Sequence, residues 1–284
     1  MPATAILLGT AQDGGLPQVR CRCAHCERAR ADPRRARRAA CLGLVSADGR
    51  GFLVDATPDF PRQAEGIPSL DGILLTHAHL GHLAGLAFLG TEAMGARDMP
   101  VFCGPRLAEH LARHEPYASI LAAGRILLRE ITPGVPVELA PGLSAEPVLV
   151  PHRAEWSETF AFRIRGPRRT LLWLPDIDRL TATSLRTFLR GVDLAFLDGT
   201  FWSADELPGR DIREIPHPFV TTTLDLLDRL SPRTAVSFIH LNHTNPLWNP
   251  RSAASAELRR RLDAAGLACA AGGPVAREGR RISL

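Results

Sequence analysis

The sequence predicts an α/β protein in which two mixed sheets pack together and helices lie outside. Apolar runs typical of strands alternate with helical patterns along most of the 284 residues. The early part is rich in strands and hairpins, whereas a doubly wound sheet would show a βα rhythm from its start. A hydrophobic content of 45% is ample for a core. Large α/β domains often form one unit, so we expect a single domain over residues 1–284.

The first part of the chain is mostly strand. TAILLGT (4–10) predicts the first strand, which the glycine-rich loop AQDGGLPQ ends. Residues 27–38 are polar and basic and predict an exposed loop with a helical turn. Residues 41–56 predict a hairpin, because Asp-Gly between two apolar runs is a typical hairpin turn. DGILLT (71–76) predicts a further strand, and HLAGLAFLGTEAMG after it has helical spacing.

Strands and helices alternate in the rest of the chain. Predicted strands are PVFCG, SAEPVLVPH, TFAFRIRG, RTLLWLPD, VDLAFLDG and TAVSFIHL. Helices are predicted from about Pro105, near 181–190, near 221–230 and over 252–264. Short strands end the chain.

Composition limits the classes of function. The net charge of +4 is mild, and much of it lies in the arginine run 28–38, where a solvated face is favoured over a nucleic-acid surface. The N-terminus lacks the pattern of a signal peptide, and no apolar run approaches the length of a membrane span. We therefore expect a cytoplasmic protein that binds a small-molecule substrate rather than nucleic acid or membrane. A homodimer is compatible with the sequence.

The stretch LLTHAHLGHLAGL carries the first chemical signal. His77 and His79 follow an apolar strand, and His82 lies where the next helix should begin. In an extended segment, residues i and i+2 share a face, so His77 and His79 can bind one ion. A lone histidine after a strand is usually structural, but three in this pattern favour a metal site.

Further polar side chains follow the other apolar strands. They are His152, Asp176, Asp198 and His240. Sites in mixed α/β sheets are commonly built at the carboxyl ends of strands. Imidazoles with one or two carboxylates suit Zn²⁺, Mn²⁺ or Fe²⁺.

THAHLGH resembles the THxHxDH signature of the metallo-β-lactamase superfamily. That resemblance implies a metallo-β-lactamase-like αβ/βα sandwich with a metal site on one edge. GTAQDGGLPQ, CRCAHC, DATPDF, FLDGTFW and HLNHTNP resemble the pyrroloquinoline quinone biosynthesis protein B family most closely. CxCxxC and the HxxH at 240–243 are also similar to the cyclic ribose phosphodiesterase of the carbon–phosphorus lyase pathway.

The resemblance implies two metal positions. His77, His79 and His152 would bind one ion, His82 and His240 the other, and Asp176 would bridge them. His217 falls where the phosphodiesterase has a catalytic histidine, which predicts a general acid. Asp176 is expected to orient the attacking water as well. Asp59 and Asp198 are predicted to orient histidines.

Gly81 departs from the signature, which has an aspartate before the last histidine. The second position would then lack a carboxylate, and glycine would leave a small space there. We therefore expect one tightly bound active-site ion and a weak second position. Gly81→Asp is expected to raise its occupancy.

Cys21, Cys23 and Cys26 form a separate cluster. In a chain of this size without a secretion signal, it favours a metal over a disulfide, although free thiols or a disulfide stay open. A structural zinc needs a fourth ligand. His25 lies inside the cluster, where binding would be strained. His243 is favoured, because it lies three residues beyond His240 and would tend to point away from it.

These observations favour a metal-dependent hydrolase that uses a metal-activated water on an ester or phosphodiester. An iron-dependent oxidase or hydroxylase in the biosynthesis of a cofactor or a peptide-derived metabolite is the alternative. A non-catalytic metabolite-binding protein is the third interpretation.

Overall fold

Two mixed sheets form the centre of the computed structural model, which describes residues 2–207 and 214–284. The first sheet has seven strands. Their spatial order is β13 (Arg281–Ser283), β1 (Thr4–Gly9), β2 (Cys41–Val45), β3 (Gly51–Val54), β4 (Gly72–Leu74), β5 (Met99–Cys103) and β6 (Ile126–Glu130). The strands β13, β1, β2 and β3 pair antiparallel, and β3 to β6 pair parallel.

The second sheet has six strands. Their order is β12 (Ala235–Ile239), β11 (Leu194–Asp198), β10 (Thr170–Leu174), β9 (Thr159–Arg165), β8 (Leu143–Val150) and β7 (Val137–Ala140). The pairs β10–β11 and β11–β12 are parallel, and the remaining pairs are antiparallel. Both sheets are thus mixed, as predicted.

The main core lies between the sheets. Leu7, Leu42 and Val54 of the first sheet belong to one buried cluster with Phe162 and Trp173 of the second. Two further clusters form on the outer faces, where helices cover each sheet. Side chains alternate between the faces of a strand, so strands buried on both faces read as continuous apolar runs.

Eight helices accompany the sheets within the described residues. They are α1 (Ala24–Ala31), α2 (Phe60–Ala64), α3 (Leu80–Leu83), α4 (Pro105–Arg113), α5 (Tyr117–Ala122), α6 (Ala182–Leu189), α7 (Val220–Leu230) and α8 (Ala253–Ala264). The helical spacing after residue 79 corresponds to α3 followed by a 3₁₀ segment, Ala84–Leu89. None of the helices described is long and apolar enough to cross a membrane.

The prediction missed four elements and understated a fifth. The strands β6 and β7 and the helices α2 and α5 have no counterpart in it. β6 has one buried residue among exposed and half-buried ones, so its sequence lacks a clear apolar signal. The region expected to be loop with one helical turn contains α1, which extends beyond a single turn.

Strand direction brings the polar residues together. β1, β3 and β4 run the same way in the first sheet, and β8, β10, β11 and β12 run the same way in the second. The carboxyl ends of strands that run in one direction meet at one edge. The loops after these strands carry the chemistry described next.

Candidate metal centre

The first candidate metal position is formed by three imidazoles. His77 Nε2 lies 2.8 Å from His79 Nδ1, which lies 3.3 Å from His152 Nε2. Zn–N bonds of about 2.0–2.1 Å at tetrahedral angles would set such nitrogens about 3.3 Å apart. His77 and His152 are buried, and His79 is partly exposed. The geometry therefore suits a divalent ion.

Neighbouring oxygens fix the orientation of two of these rings. Thr76 Oγ1 donates to Asp55 and lies 2.9 Å from His77 Nδ1, whose N–H can donate to it. Asp178 Oδ1 lies 3.0 Å from His152 Nδ1 and accepts a hydrogen bond from its N–H. In both histidines the lone pair is then left on Nε2, the atom that faces the cluster. Such partners set the tautomer that a metal requires.

The second candidate position combines imidazoles with carboxylates. His82 Nε2 lies 3.2 Å from Asp176 Oδ2 and 3.4 Å from Asp13 Oδ1. His240 Nε2 lies 3.5 Å from Asp176 Oδ1 and 3.7 Å from Asp13 Oδ1. Asp176 Oδ1 is also 3.7 Å from His152 Nε2. Asp176 therefore lies between the two positions, as the resemblance implied.

The rings of the second position are held in the same manner. Asp55 Oδ2 accepts from His82 Nδ1 at 2.8 Å, and Thr200 Oγ1 lies 2.9 Å from His240 Nδ1. Both Asp55 and His240 have left-handed backbones, with φ of 72° and 63°. Such conformations cost about 1–3 kcal/mol in non-glycine residues and cluster at functional sites. The strain here turns side chains at the ends of β3 and β12 toward the centre.

Three atoms at this centre are buried without a hydrogen-bond partner among the described residues. They are His82 Nε2, His240 Nε2 and Asp176 Oδ2. An unpaired buried polar atom costs about 1–3 kcal/mol, so native structures rarely keep one without a purpose. All three are good ligands for a borderline ion, and the residues therefore fit a metal.

Burial and mutual repulsion keep the first three histidines neutral. Burial lowers the pKa of His77 well below its usual value and that of His152 to about 2, and neighbouring imidazoles contribute. Burial also lowers the pKa of His79 to about 4. Neutral imidazole is the form that binds metals. Burial raises the pKa of Asp176, which disfavours its charged form until a cation is beside it.

His217 lies at the rim of the two positions. Asp198 Oδ2 accepts from its Nδ1 at 2.7 Å, and Thr200 Oγ1 lies 3.2 Å from the same atom. Burial alone lowers the pKa of His217, but Asp198 outweighs it and raises the value to about 9. A ring nitrogen lies within 4.8 Å of the ligand atoms of His152 and Asp176. The ring is thus placed to hold a proton beside the centre.

The three cysteines of the cluster lie around His243, the residue predicted as the fourth zinc ligand. His243 Nδ1 lies 3.4 Å from Cys21 Sγ, 3.6 Å from Cys23 Sγ and 3.7 Å from Cys26 Sγ. With Zn–S of about 2.3 Å and Zn–N of about 2.0 Å, a tetrahedral ion needs a sulfur–nitrogen separation of about 3.5 Å. His25 is outside this group. The described cysteines form no disulfide.

The structure brings the predicted residues into two groups. His77, His79, His82, His152, Asp176 and His240 converge at one centre with His217 beside them, and Cys21, Cys23, Cys26 and His243 form the other.

Asp198 orients a histidine as predicted, but the prediction for Asp59 is wrong. Its carboxylate accepts from the backbone N–H of Ala39, and Asp55 orients His82 instead.

The sequence analysis missed Asp13. The expectation that the second position lacks a carboxylate is wrong, because Asp13 fills the space beside Gly81. The basis for expecting a weak second ion disappears with it. One signal was available: Asp13 follows the first predicted strand closely, just as the other site residues follow theirs.

Comparison with known proteins identifies the family of the chain. Residues 50–241 match the family model of the β-lactamase superfamily domain, so the chain belongs to that superfamily. It is 31% identical to coenzyme PQQ synthesis protein B of Rhizobium meliloti (strain 1021), over 87% of this chain and 90% of that protein, and belongs with it in one family. A protein of the same name from Ruegeria pomeroyi is 29% identical, over 90% of this chain and 95% of that protein.

Solved structures show the same fold. The zinc-bound crystal structure of PqqB from Methylobacterium extorquens has a TM-score of 0.81 and 23% identity, and the match covers 99% of this chain and 100% of that one. A diphosphatase of the PhnP family has a TM-score of 0.69 and 24% identity, covering 99% and 97%. The predicted fold class and resemblance are confirmed.

Proposed function

We propose that the protein is a metal-dependent hydrolase acting on an ester or phosphodiester-type small molecule. The observation that carries this proposal is the position of Asp176. One of its oxygens faces His82 Nε2 at 3.2 Å, and the other lies 3.5 Å from His240 Nε2 and 3.7 Å from His152 Nε2. Two metal positions joined by a carboxylate are typical of phosphatases, nucleases and related hydrolases.

The residues of the centre would hold divalent ions such as Zn²⁺, Mn²⁺ or Fe²⁺. His77, His79 and His152 would form one position, His82 and His240 would contribute to the other, and Asp176 would bridge them. Ions bound there would lower the pKa of water and polarise the scissile bond. Asp176 would orient the attacking water through its shared oxygens.

His217 is proposed as the general acid for the leaving group. Asp198 holds its Nδ1, which leaves Nε2 as the nitrogen that can reach a substrate oxygen. When the scissile bond breaks, the leaving oxygen would take the proton from this nitrogen. The Asp198 carboxylate stabilises the protonated ring beforehand.

The cysteine group is proposed as a structural zinc site with His243. Cys21, Cys23 and Cys26 lie before and within α1, whereas His243 follows β12. A zinc held there would tie the N-terminal loop to the C-terminal part of the chain. Four protein ligands close the shell, so this ion is expected to have no catalytic role.

An oxidative function is the second candidate. The observation that favours it is the name of the relatives, coenzyme PQQ synthesis protein B. Under this alternative, iron at the three-histidine position would support a reaction with O₂ in cofactor biosynthesis.

The two candidates differ in their need for oxygen. The test uses bis(p-nitrophenyl) phosphate and p-nitrophenyl acetate as probes, with protein loaded anaerobically with Zn²⁺, Mn²⁺ or Fe²⁺. Hydrolysis is expected without O₂ and should disappear in His77→Ala. Absence of hydrolysis with every metal, together with O₂ consumption by the iron-loaded protein, would favour the oxidase and refute the hydrolase.

A further inference from the structure

The loop after β1 and Gly81 of α3 fit each other closely. A Cβ built on Gly81 would lie 2.0 Å from Asp13 Oδ1 and 2.7 Å from both its Cγ and its Cα. Real Cβ atoms essentially never come within 3.0 Å of a heavy atom from another part of the chain, so any side chain at 81 must displace Asp13. The carboxylate of Asp13 thus occupies the volume that a residue at 81 would take.

Asp13 also faces ring nitrogens that can bind a cation when the rings are neutral. Its Oδ1 lies 3.4 Å from His82 Nε2 and 3.7 Å from His240 Nε2. His82 Nδ1 donates a hydrogen bond to Asp55. A neutral ring therefore has its lone pair on Nε2, which faces Asp13 and Asp176. Lone pairs and carboxylates in contact repel each other unless a positive charge lies among them.

The backbone around Asp13 is fixed. Gln12 N donates to Leu241 O at 3.0 Å, and Leu241 N donates to Thr10 O at 3.2 Å. These bonds join the Asp13 loop to the residue directly after His240. Gly15 N donates to Gln12 O at 2.7 Å and closes a turn around Asp13. The carboxylate is therefore anchored, although its side chain is 35% exposed.

From these contacts we infer that Asp13 is the carboxylate ligand of the second metal position. A ligand that the signature places on the helix is instead supplied here by the loop after the first strand, and Gly81 is required to leave room for it. This inference rests on the metal-binding part of the proposed function. It does not depend on which reaction the ions support.

Two single variants and their combination test the inference. Asp13→Ala removes the carboxylate. Gly81→Ala keeps Asp13 and every other ligand but adds the Cβ that displaces it. Alanine favours a helix over glycine, so Gly81→Ala has no conformational cost of its own. Asp13→Asn preserves the shape without the charge and serves as a milder variant.

The readout is the number and affinity of bound ions. Each protein is dialysed against buffered Zn²⁺, and zinc is counted by mass spectrometry of the metal. We expect three ions per chain in the unaltered protein, of which one is at the cysteine group. Mutation of a residue that only orients a metal ligand lowers the affinity for the metal by about 10–100-fold. Loss of a ligand itself should lower it at least as much. Asp13→Ala and Gly81→Ala should each weaken one ion by at least about 10-fold, and Asp13→Asn by less.

The double variant Asp13→Ala/Gly81→Ala should bind no worse than Asp13→Ala, because both changes remove the same contact. The controls are Asp48→Ala, which removes a carboxylate at the β2–β3 turn, and Gly273→Ala, whose Cβ would meet only Val275 O at 3.7 Å. Both should keep three ions. Circular dichroism checks that every variant is folded.

Three ions bound with unaltered affinity in Asp13→Ala would overturn the inference and leave the proposed metal centre intact. Additive losses in the double variant would also overturn the pairing of Asp13 with Gly81. A single active-site ion in the unaltered protein would instead contradict the two-metal centre itself.

Discussion

Replacing Asp55 with asparagine should change the tautomer of a metal ligand without removing any ligand. Asp55 Oδ1 accepts from Thr76 N at 2.8 Å, and Oδ2 accepts from His82 Nδ1 at 2.8 Å. Asparagine has only one oxygen. If it keeps the Thr76 bond, the amide NH₂ faces His82 and must donate to Nδ1. The imidazole proton then moves to Nε2, where it blocks metal binding.

The opposite orientation of the amide also carries a cost. The NH₂ group would then face the Thr76 N–H, and a buried donor left without an acceptor costs about 1–3 kcal/mol. Changes to such orienting partners lower metal affinity by about 10–100-fold, equivalent to about 1.4–2.7 kcal/mol. We expect Asp55→Asn to weaken the second position by this amount and to affect the first position less, because Asp55 reaches His77 only through Thr76 Oγ1.

The assay is a zinc titration in competition with a chromophoric chelator. Asp178→Asn is the matched control, because Asp178 orients His152 of the first position at 3.0 Å. Its side chain is 32% exposed, so water can replace the lost bond and the effect should be smaller. Equal zinc affinities of both positions in Asp55→Asn and the unaltered protein would refute the tautomer argument.

Three further changes test other parts of the structure. His217→Ala should lower turnover by about 10²–10⁴-fold and keep all ions, because it removes a proton donor; loss of an ion would make it a ligand instead. Cys23→Ser should lose one zinc and lower the melting temperature, and unchanged metal content would exclude the zinc site. Burial raises the pKa of Glu278 to about 7 from 4.5, so the folded state retains a proton that the unfolded state releases. Stability should therefore fall between pH 4.5 and pH 7, by about 3 kcal/mol more than in Glu278→Gln. Urea unfolding at several pH values gives the free energy of unfolding of both proteins. The same change in this free energy between pH 4.5 and pH 7 in both would contradict the prediction.

The histidines could be predicted because their signal is local. HxHxxH follows one apolar run, and the remaining ligands each follow another, so strand ends alone indicated the centre. Asp13 also follows a predicted strand, but that position alone did not distinguish it from an ordinary loop residue. The role proposed for it depends on its close approach to Gly81, where an added Cβ would lie 2.0 Å from Asp13 Oδ1, and these two segments are far apart in sequence.

The orienting carboxylates show the same limit. Asp55 and Asp59 are both in DATPDF, and nothing in that motif distinguishes which of them orients a histidine. The left-handed backbone at Asp55 directs its carboxylate toward His82. Asp59 directly precedes α2, and its carboxylate accepts a hydrogen bond from the backbone N–H of Ala39. A left-handed backbone conformation is rare in a non-glycine residue, and the surrounding fold determines where it occurs. The distinction therefore required the three-dimensional structure.

Anomalous diffraction from crystals of the zinc-loaded protein tests the two-metal centre most directly. The account predicts three peaks per chain. One should lie among Cys21, Cys23, Cys26 and His243. The other two should lie about 3.5–4 Å apart on either side of Asp176, and Asp13 should contact the one shared by His82 and His240. A single peak at the three-histidine position, with no density beside Asp13 at saturating zinc, would contradict it.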